Sequence, residues 1–194
     1  MLALLVPAAL HLPATVLEVV LGGHPARWFY PSVKPEHIAA LVMFSVGEEL
    51  RLHRGAPEGR EQAQFGWRGF AHPRLARRFG PVIGSLLLGA VWGLWHLGML
   101  FTPDQGAPSP VTIVVYMAEL AVYSVVIAGV FERGDRSMAV AIALHAGGHL
   151  DNVHRAPPGE VRLRALRFVV VLIAAGFTAR SLARDRAAGK RARG

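Results

Sequence analysis

The sequence predicts an all-α, polytopic membrane bundle of about five to six transmembrane helices. Three observations carry this expectation. Only 18% of the residues are charged while 53% are hydrophobic, where a soluble domain carries about 25% charged residues; the mean hydropathy is +0.36. Apolar runs recur along all 194 residues, enough for five or six spans of roughly 20 residues each. The Lys and Arg residues sit between and after those runs, so the net charge of +8 fits a positive-inside membrane protein rather than a nucleic-acid binder. Cysteine is absent, which excludes disulfides and thiol catalysis.

Three regions follow. Residues 1–36 form an N-terminal membrane helix and loop, 37–155 a core, and 156–194 a last membrane helix with a basic tail. Residues 1–22 are apolar but broken by Pro7, His11, Pro13 and Glu18, and they lack the basic start and cleavage site of a signal peptide. Proline is tolerated in a membrane helix when neighbours satisfy the freed backbone groups. Trp28, Phe29 and Tyr30 suit an interfacial aromatic belt. The apolar run from His37 to Val46 leads into Gly47-Glu48-Glu49, and the polar, Gly- and Pro-containing residues 50–64 cannot span a membrane.

Phe65–Phe79 is amphipathic and arginine-rich and is expected at the surface, with Arg74, Arg77 and Arg78 at the headgroups. Pro81–Phe101 is the clearest span, with a proline where a first helical turn accepts one. Val111–Phe131 is the next and holds Glu119, to which no catalytic role is given. Ser137–Leu150 is shorter, and Leu166–Phe177 is the last. Fifteen of the 21 Lys and Arg fall in segments 51–78, 133–136 and 180–193, against six in 27–34 and 155–167. That asymmetry places the C-terminus in the cytoplasm. The excess of Arg over Lys, with plentiful Ala, Gly and Pro, points to a bacterial plasma membrane.

Ionisable side chains inside membrane helices are expensive, so each is a functional candidate. Glu48 and Glu49 end one apolar run and His96 lies near the end of another. His145 and His149, four residues apart, share a helix face. Carboxylates and imidazoles converging away from lipid activate a water by general base catalysis, or hold a metal ion that does so. Blander readings stand beside these. The glutamates are also an ordinary solvated helix end, and His96 is also a core histidine bonded to a backbone carbonyl. Trp92 and Trp95 are packing residues that line a pocket beside His96, while His53, His72 and His154 are expected in solvent-facing loops.

The residues Phe65-Gly-Trp-Arg68-Gly-Phe-Ala-His-Pro-Arg-Leu75, Trp92-Gly-Leu-Trp-His96 and His145-Ala-Gly-Gly-His149 resemble three motifs of one family. These are the CAAX-protease and bacteriocin-processing (CPBP) intramembrane proteases, and the resemblance covers roughly residues 40–155. It implies an intramembrane peptidase. Glu48 or Glu49 would deprotonate a water, His96 and His145 would position it, His149 would help stabilise the oxyanion, and Arg68 would orient a glutamate. Glutamate and histidine serve both a metal-independent mechanism and a zinc site, so no cofactor is required; zinc, if used, would sit on His96, His145 and His149. The implied partners are the lipid bilayer and a membrane-associated peptide substrate.

The chain departs from the pattern in its first motif. In register with Arg68, the two glutamate positions hold Ala63 and Gln64. Removing residues 50–64 would splice Gly47-Glu48-Glu49 onto Phe65, which makes those residues an insertion; Glu61 is a weaker substitute. The alternative is a catalytically impaired membrane scaffold or immunity-like protein that keeps the fold. A mild departure is His149 where asparagine is commonest, with Asp151 and Asn152 close behind.

Overall fold

The computed structural model describes residues 2–21, 65–101, 107–149 and 161–191. Among the described residues the fold is all-α, with six α-helices and no strand. Helix α1 is Leu2–Val20, and it continues through Pro7 and Pro13. A wide π-helical turn, Phe65–Ala71, leads into the short α2, His72–Phe79. Helix α3 is Pro81–His96 and tightens into a 3-10 turn at Leu97–Leu100. Helices α4 (Pro110–Arg133), α5 (Met138–His149) and α6 (Val161–Arg191) complete the bundle.

Local chemistry sets the helix ends. Gly80 joins α2 to α3 at φ +86°, a left-handed conformation that glycine adopts without a Cβ penalty. Pro81 follows in the first turn of α3, where its missing N–H costs nothing. Ser109 caps α4 by accepting the Thr112 backbone N–H at 3.1 Å, with Pro110 next to it. Arg162, in the first turn of α6, closes the far end of α1: it donates to Glu18 Oε2 at 2.9 Å and to the carbonyls of Glu18 and Leu21 at 3.2 and 3.1 Å. A cation there satisfies carbonyls that lack helical partners and complements the helix dipole. The two helices therefore lie side by side in opposite directions.

Helix α4 is the central post, packed between α3 and α6, while α1 packs on α5 and α6. The main apolar core joins Tyr123, Val125, Val126 and Ile127 of α4 to Leu144 of α5 and to Val171 and Ala175 of α6. A second cluster, Leu100, Tyr116 and Leu120, closes the other end of the α3–α4 seam. That seam is tight because Gly89 has no side chain: a Cβ there would meet the Ala121 backbone at 2.7 Å.

The exterior is apolar too. Val169, Leu172, Ile173 and Phe177 on α6, and Ile83, Leu87, Val91 and Leu94 on α3, are exposed. Contiguous apolar surface of this kind faces lipid or a partner rather than water. Helices α4 and α6 are each long and apolar enough to cross a membrane, and α1 and α3 are shorter apolar helices. The expected last span, Leu166–Phe177, and the basic tail prove to be parts of one helix. It begins at Val161, so Arg164 and Arg167 lie buried in the bundle rather than in a loop. The N-terminal loop, the Glu48-Glu49 segment and the 50–64 insertion lie outside the described residues.

Candidate active site

The π-helical turn decides where Arg68 goes. Its wider winding carries the guanidinium into the bundle instead of leaving it on an amphipathic surface. Arg68 is 3% exposed, and its Nη2 donates to Ser124 Oγ of α4 at 3.1 Å. Its Nη1 is buried without a hydrogen-bond partner among the described residues. A guanidinium stays charged in proteins, and a single hydroxyl does not compensate for its lost hydration. Nη1 is thus a buried donor with capacity for an acceptor.

His72 sits one turn further on. The sequence reading put it in a solvent-facing loop; instead it opens α2 and is fully buried. The cause is Ser85 of α3, whose hydroxyl donates to the Pro81 carbonyl at 2.6 Å and so has its lone pairs turned to His72 Nε2, 3.1 Å away. That fixes the tautomer with the proton on Nε2. The ring also meets Phe131 edge-on, centroids 6.1 Å apart. Burial, helped by the nearby Arg68 charge, pushes the His72 pKa down to about 4.

His96 closes α3. Its Nδ1 lies 2.9 Å from the Trp92 carbonyl, and a carbonyl only accepts, so Nδ1 carries the proton and Nε2 presents a lone pair. The bland reading of this histidine is thus half of the geometry, and the bond orients the ring for a base or ligand role at the other nitrogen. Trp92 packs edge-on against His96 at 4.9 Å and stacks on Tyr123 at 6.4 Å. Trp95 does not line this region: it is 63% exposed, whereas Trp92 packs on Tyr123 of α4.

His145 is half-buried on α5, directly after Leu144, which is 1% exposed; His149 closes the same helix. Leu144, Tyr123 and Trp92 share one apolar cluster. The structure thereby gathers the segments bearing Arg68, His96 and His145 around Tyr123 and Ser124 in the middle of α4. Glu48 and Glu49 lie outside the described residues. Among the described residues no three His, Asp or Glu side chains are grouped to hold a metal ion.

Sequence reasoning missed Ser124 and Tyr123, and for Glu119 it expected a bundle histidine or water as partner rather than an arginine. Glu119 pairs with Arg167 of α6, Nε to Oε1 2.7 Å, both side chains almost fully buried. Arg164 lies over the Tyr116 ring at 5.4 Å. The signal was available: Tyr116, Glu119 and Tyr123 recur at helical spacing along one face of an otherwise apolar run.

Residues 64–150 match a protein-family model, type II CAAX prenyl endopeptidase Rce1-like. Over that stretch the chain is similar to the Rce1-like family. Neither a curated protein nor a solved structure matches the chain. The matched segment begins at Gln64, runs from the π-helical turn past the end of α5, and takes in Arg68, His96, His145 and His149. It starts at the last residue of the proposed insertion and leaves Glu48 and Glu49 outside, a narrower stretch than the motifs alone implied. The family is one of membrane endopeptidases, which agrees with an all-helical bundle that has an apolar exterior.

Proposed function

We propose that the chain is an intramembrane endopeptidase that cleaves membrane-associated peptides with a glutamate-activated water. The observation that carries this is Arg68: a buried cation inside the family-matched segment, with one guanidinium nitrogen left for an anion. Glu48 or Glu49 supplies that anion once residues 50–64 loop out. The arginine holds the carboxylate in place, and the carboxylate takes a proton from water. The resulting hydroxide attacks the scissile carbonyl carbon, the peptide C–N bond breaks, and the proton passes to the leaving amine. His96, with Nε2 unprotonated, and His145 position the water, and His149 stabilises the oxyanion. The family description points to the C-terminal tail of a lipidated protein as one substrate; peptide maturation fits the same chemistry.

A second reading is a membrane scaffold that keeps the bundle without the activity, and Ala63-Gln64 in register with Arg68 favours it. One experiment separates the two: cleavage of a membrane-tethered peptide library by the purified protein, beside Glu48→Gln/Glu49→Gln and His145→Ala. Cleavage by the wild type that both variants lose supports the peptidase. A silent wild type beside an active version lacking residues 50–64 identifies the scaffold.

A further inference from the structure

At the end of the bundle where α2, α4 and α6 meet, a cleft of ≈ 810 Å³ is lined by Arg77, Glu132, Arg133, Arg136, Asp185 and Arg186. Four guanidinium groups against two carboxylates leave a net charge of +2. We propose that this cleft is a binding site for the phosphoryl headgroup of an anionic phospholipid. It is separate from the Arg68–His96 region and does not depend on the peptidase reading.

The arginines differ in how they are held. Arg133 is fixed across the α4–α6 seam, donating to the Gly129 carbonyl at 3.0 Å and to Ser181 Oγ at 2.6 Å. Arg136 donates its Nε to Glu132 at 2.8 Å, which leaves both of its Nη groups for a ligand. Its backbone is held at φ +57°, a conformation costly for a side chain with a Cβ and one that persists only where its surroundings enforce it. Arg77 and Arg186 have no hydrogen-bond partner among the described residues. Arg186 is nevertheless kept close: a Cβ at Gly80 would collide with its guanidinium, so the glycine that joins α2 to α3 also makes room for it. The result is a set of planar donors, Arg133 and Arg136 held in place, whose forks match phosphate oxygens two at a time.

Shape favours a lipid over a free anion. The volume lies within the range of small-molecule pockets and is far larger than one phosphate fills. Pro81 lines the cleft, and from it α3 continues into the exposed Ile83, Leu86 and Leu87, an apolar surface on which acyl chains can lie. The cleft also sits at one end of α4 and α6, which are long and apolar enough to cross a membrane, and a headgroup lies at such an end.

The test titrates the full chain, purified in a non-ionic detergent, with dioleoyl phosphatidylglycerol and with dioleoyl phosphatidylcholine, and counts bound lipid by native mass spectrometry. Saturable binding of one phosphatidylglycerol in preference to phosphatidylcholine is expected. Arg77→Gln/Arg186→Gln should weaken it about thirtyfold, or about fivefold per arginine. Arg180→Gln/Arg184→Gln, which removes equal charge outside the cleft, should change it less than twofold. Asp185→Asn should tighten it about fivefold, a gain that does not depend on whether the double variant folds. Equal loss in both double variants would mean diffuse surface charge and would overturn the site. Equal affinity for phosphatidylcholine, or displacement of the lipid by equimolar inorganic phosphate, would overturn the lipid assignment.

Discussion

Arg68 and Ser124, 56 residues apart, are joined by a 3.1 Å hydrogen bond that runs from the π-helical turn to the middle of the central helix. The bond does two things at once. It anchors the turn to α4, and it orients a buried guanidinium so that Nη1 faces away from its only described partner. A residue with both tasks is separable by substitution, because shape, charge and hydrogen bonding fail differently.

Arg68→Ala should lower kcat for peptide cleavage about a hundredfold with KM little changed, the loss expected when a catalytic group is misplaced by about 1 Å. Arg68→Lys should restore only part of it, because an ammonium lacks the planar fork. Ser124→Ala should cost about 1–3 kcal/mol of stability, as a buried charged donor loses its partner, while kcat falls less than tenfold. Steady-state kinetics and thermal unfolding of the three variants in one detergent check this. A KM effect without a kcat effect in Arg68→Ala would put the arginine in substrate binding instead.

Much of this architecture was legible from residue order. The apolar helices α3 and α4 and the short α5 carrying His145 and His149 follow from apolar runs, and the matched segment takes in the residues that carry the family resemblance. What was not legible depends on what a helix packs against. His72 reads as a loop residue beside arginines, and only Ser85, thirteen residues away on another helix, explains its burial. Arg164 and Arg167 read as loop charges because a sequence window penalises them. Glu119 across the seam and the Tyr116 ring make their burial in α6 tolerable. Trp92 and Trp95 are equivalent in composition, and only the direction of the α3–α4 seam separates a core residue from an outward-facing one.

His72 gives the fold a defined acid sensitivity. Its folded pKa of about 4 lies below the unfolded value of about 6.5, with burial as the main cause, Arg68 and Arg136 acting in the same direction and Glu132 against. Between those values the unfolded chain takes up a proton that the folded chain refuses. The contribution of neutral His72 is therefore fully present above pH 6.5, is lost progressively as pH falls towards 4, and changes no further below that. The span corresponds to about 3 kcal/mol. His72→Gln, whose amide N–H keeps the bond to Ser85, should flatten the profile in this window. The difference between the unfolding curves of wild type and variant from pH 7 to 4 measures it and cancels the titration of the carboxylates. Parallel profiles would show that His72 gains its proton without unfolding.

The Glu119–Arg167 pair should behave as scaffold rather than as machinery. Two charges in an apolar bundle attract strongly across 2.7 Å, but that attraction first has to offset the loss of their hydration. Breaking the pair from one side leaves the other charge buried alone, so Glu119→Gln and Arg167→Gln should each lose about 3–5 kcal/mol of stability. Replacing both residues with leucine removes both charges and fills similar volume, so Glu119→Leu/Arg167→Leu should be far more stable than either single variant. Its cleavage activity should stay within threefold of wild type, because the pair belongs to the α4–α6 seam and not to the α3–α4–α5 region around Tyr123. Thermal unfolding of the four proteins with a parallel cleavage assay settles both parts. A double variant as unstable as the singles would mean that Tyr116 and Arg164 share the pair's charge balance. A stable double variant without activity would bring Glu119 into the catalytic machinery.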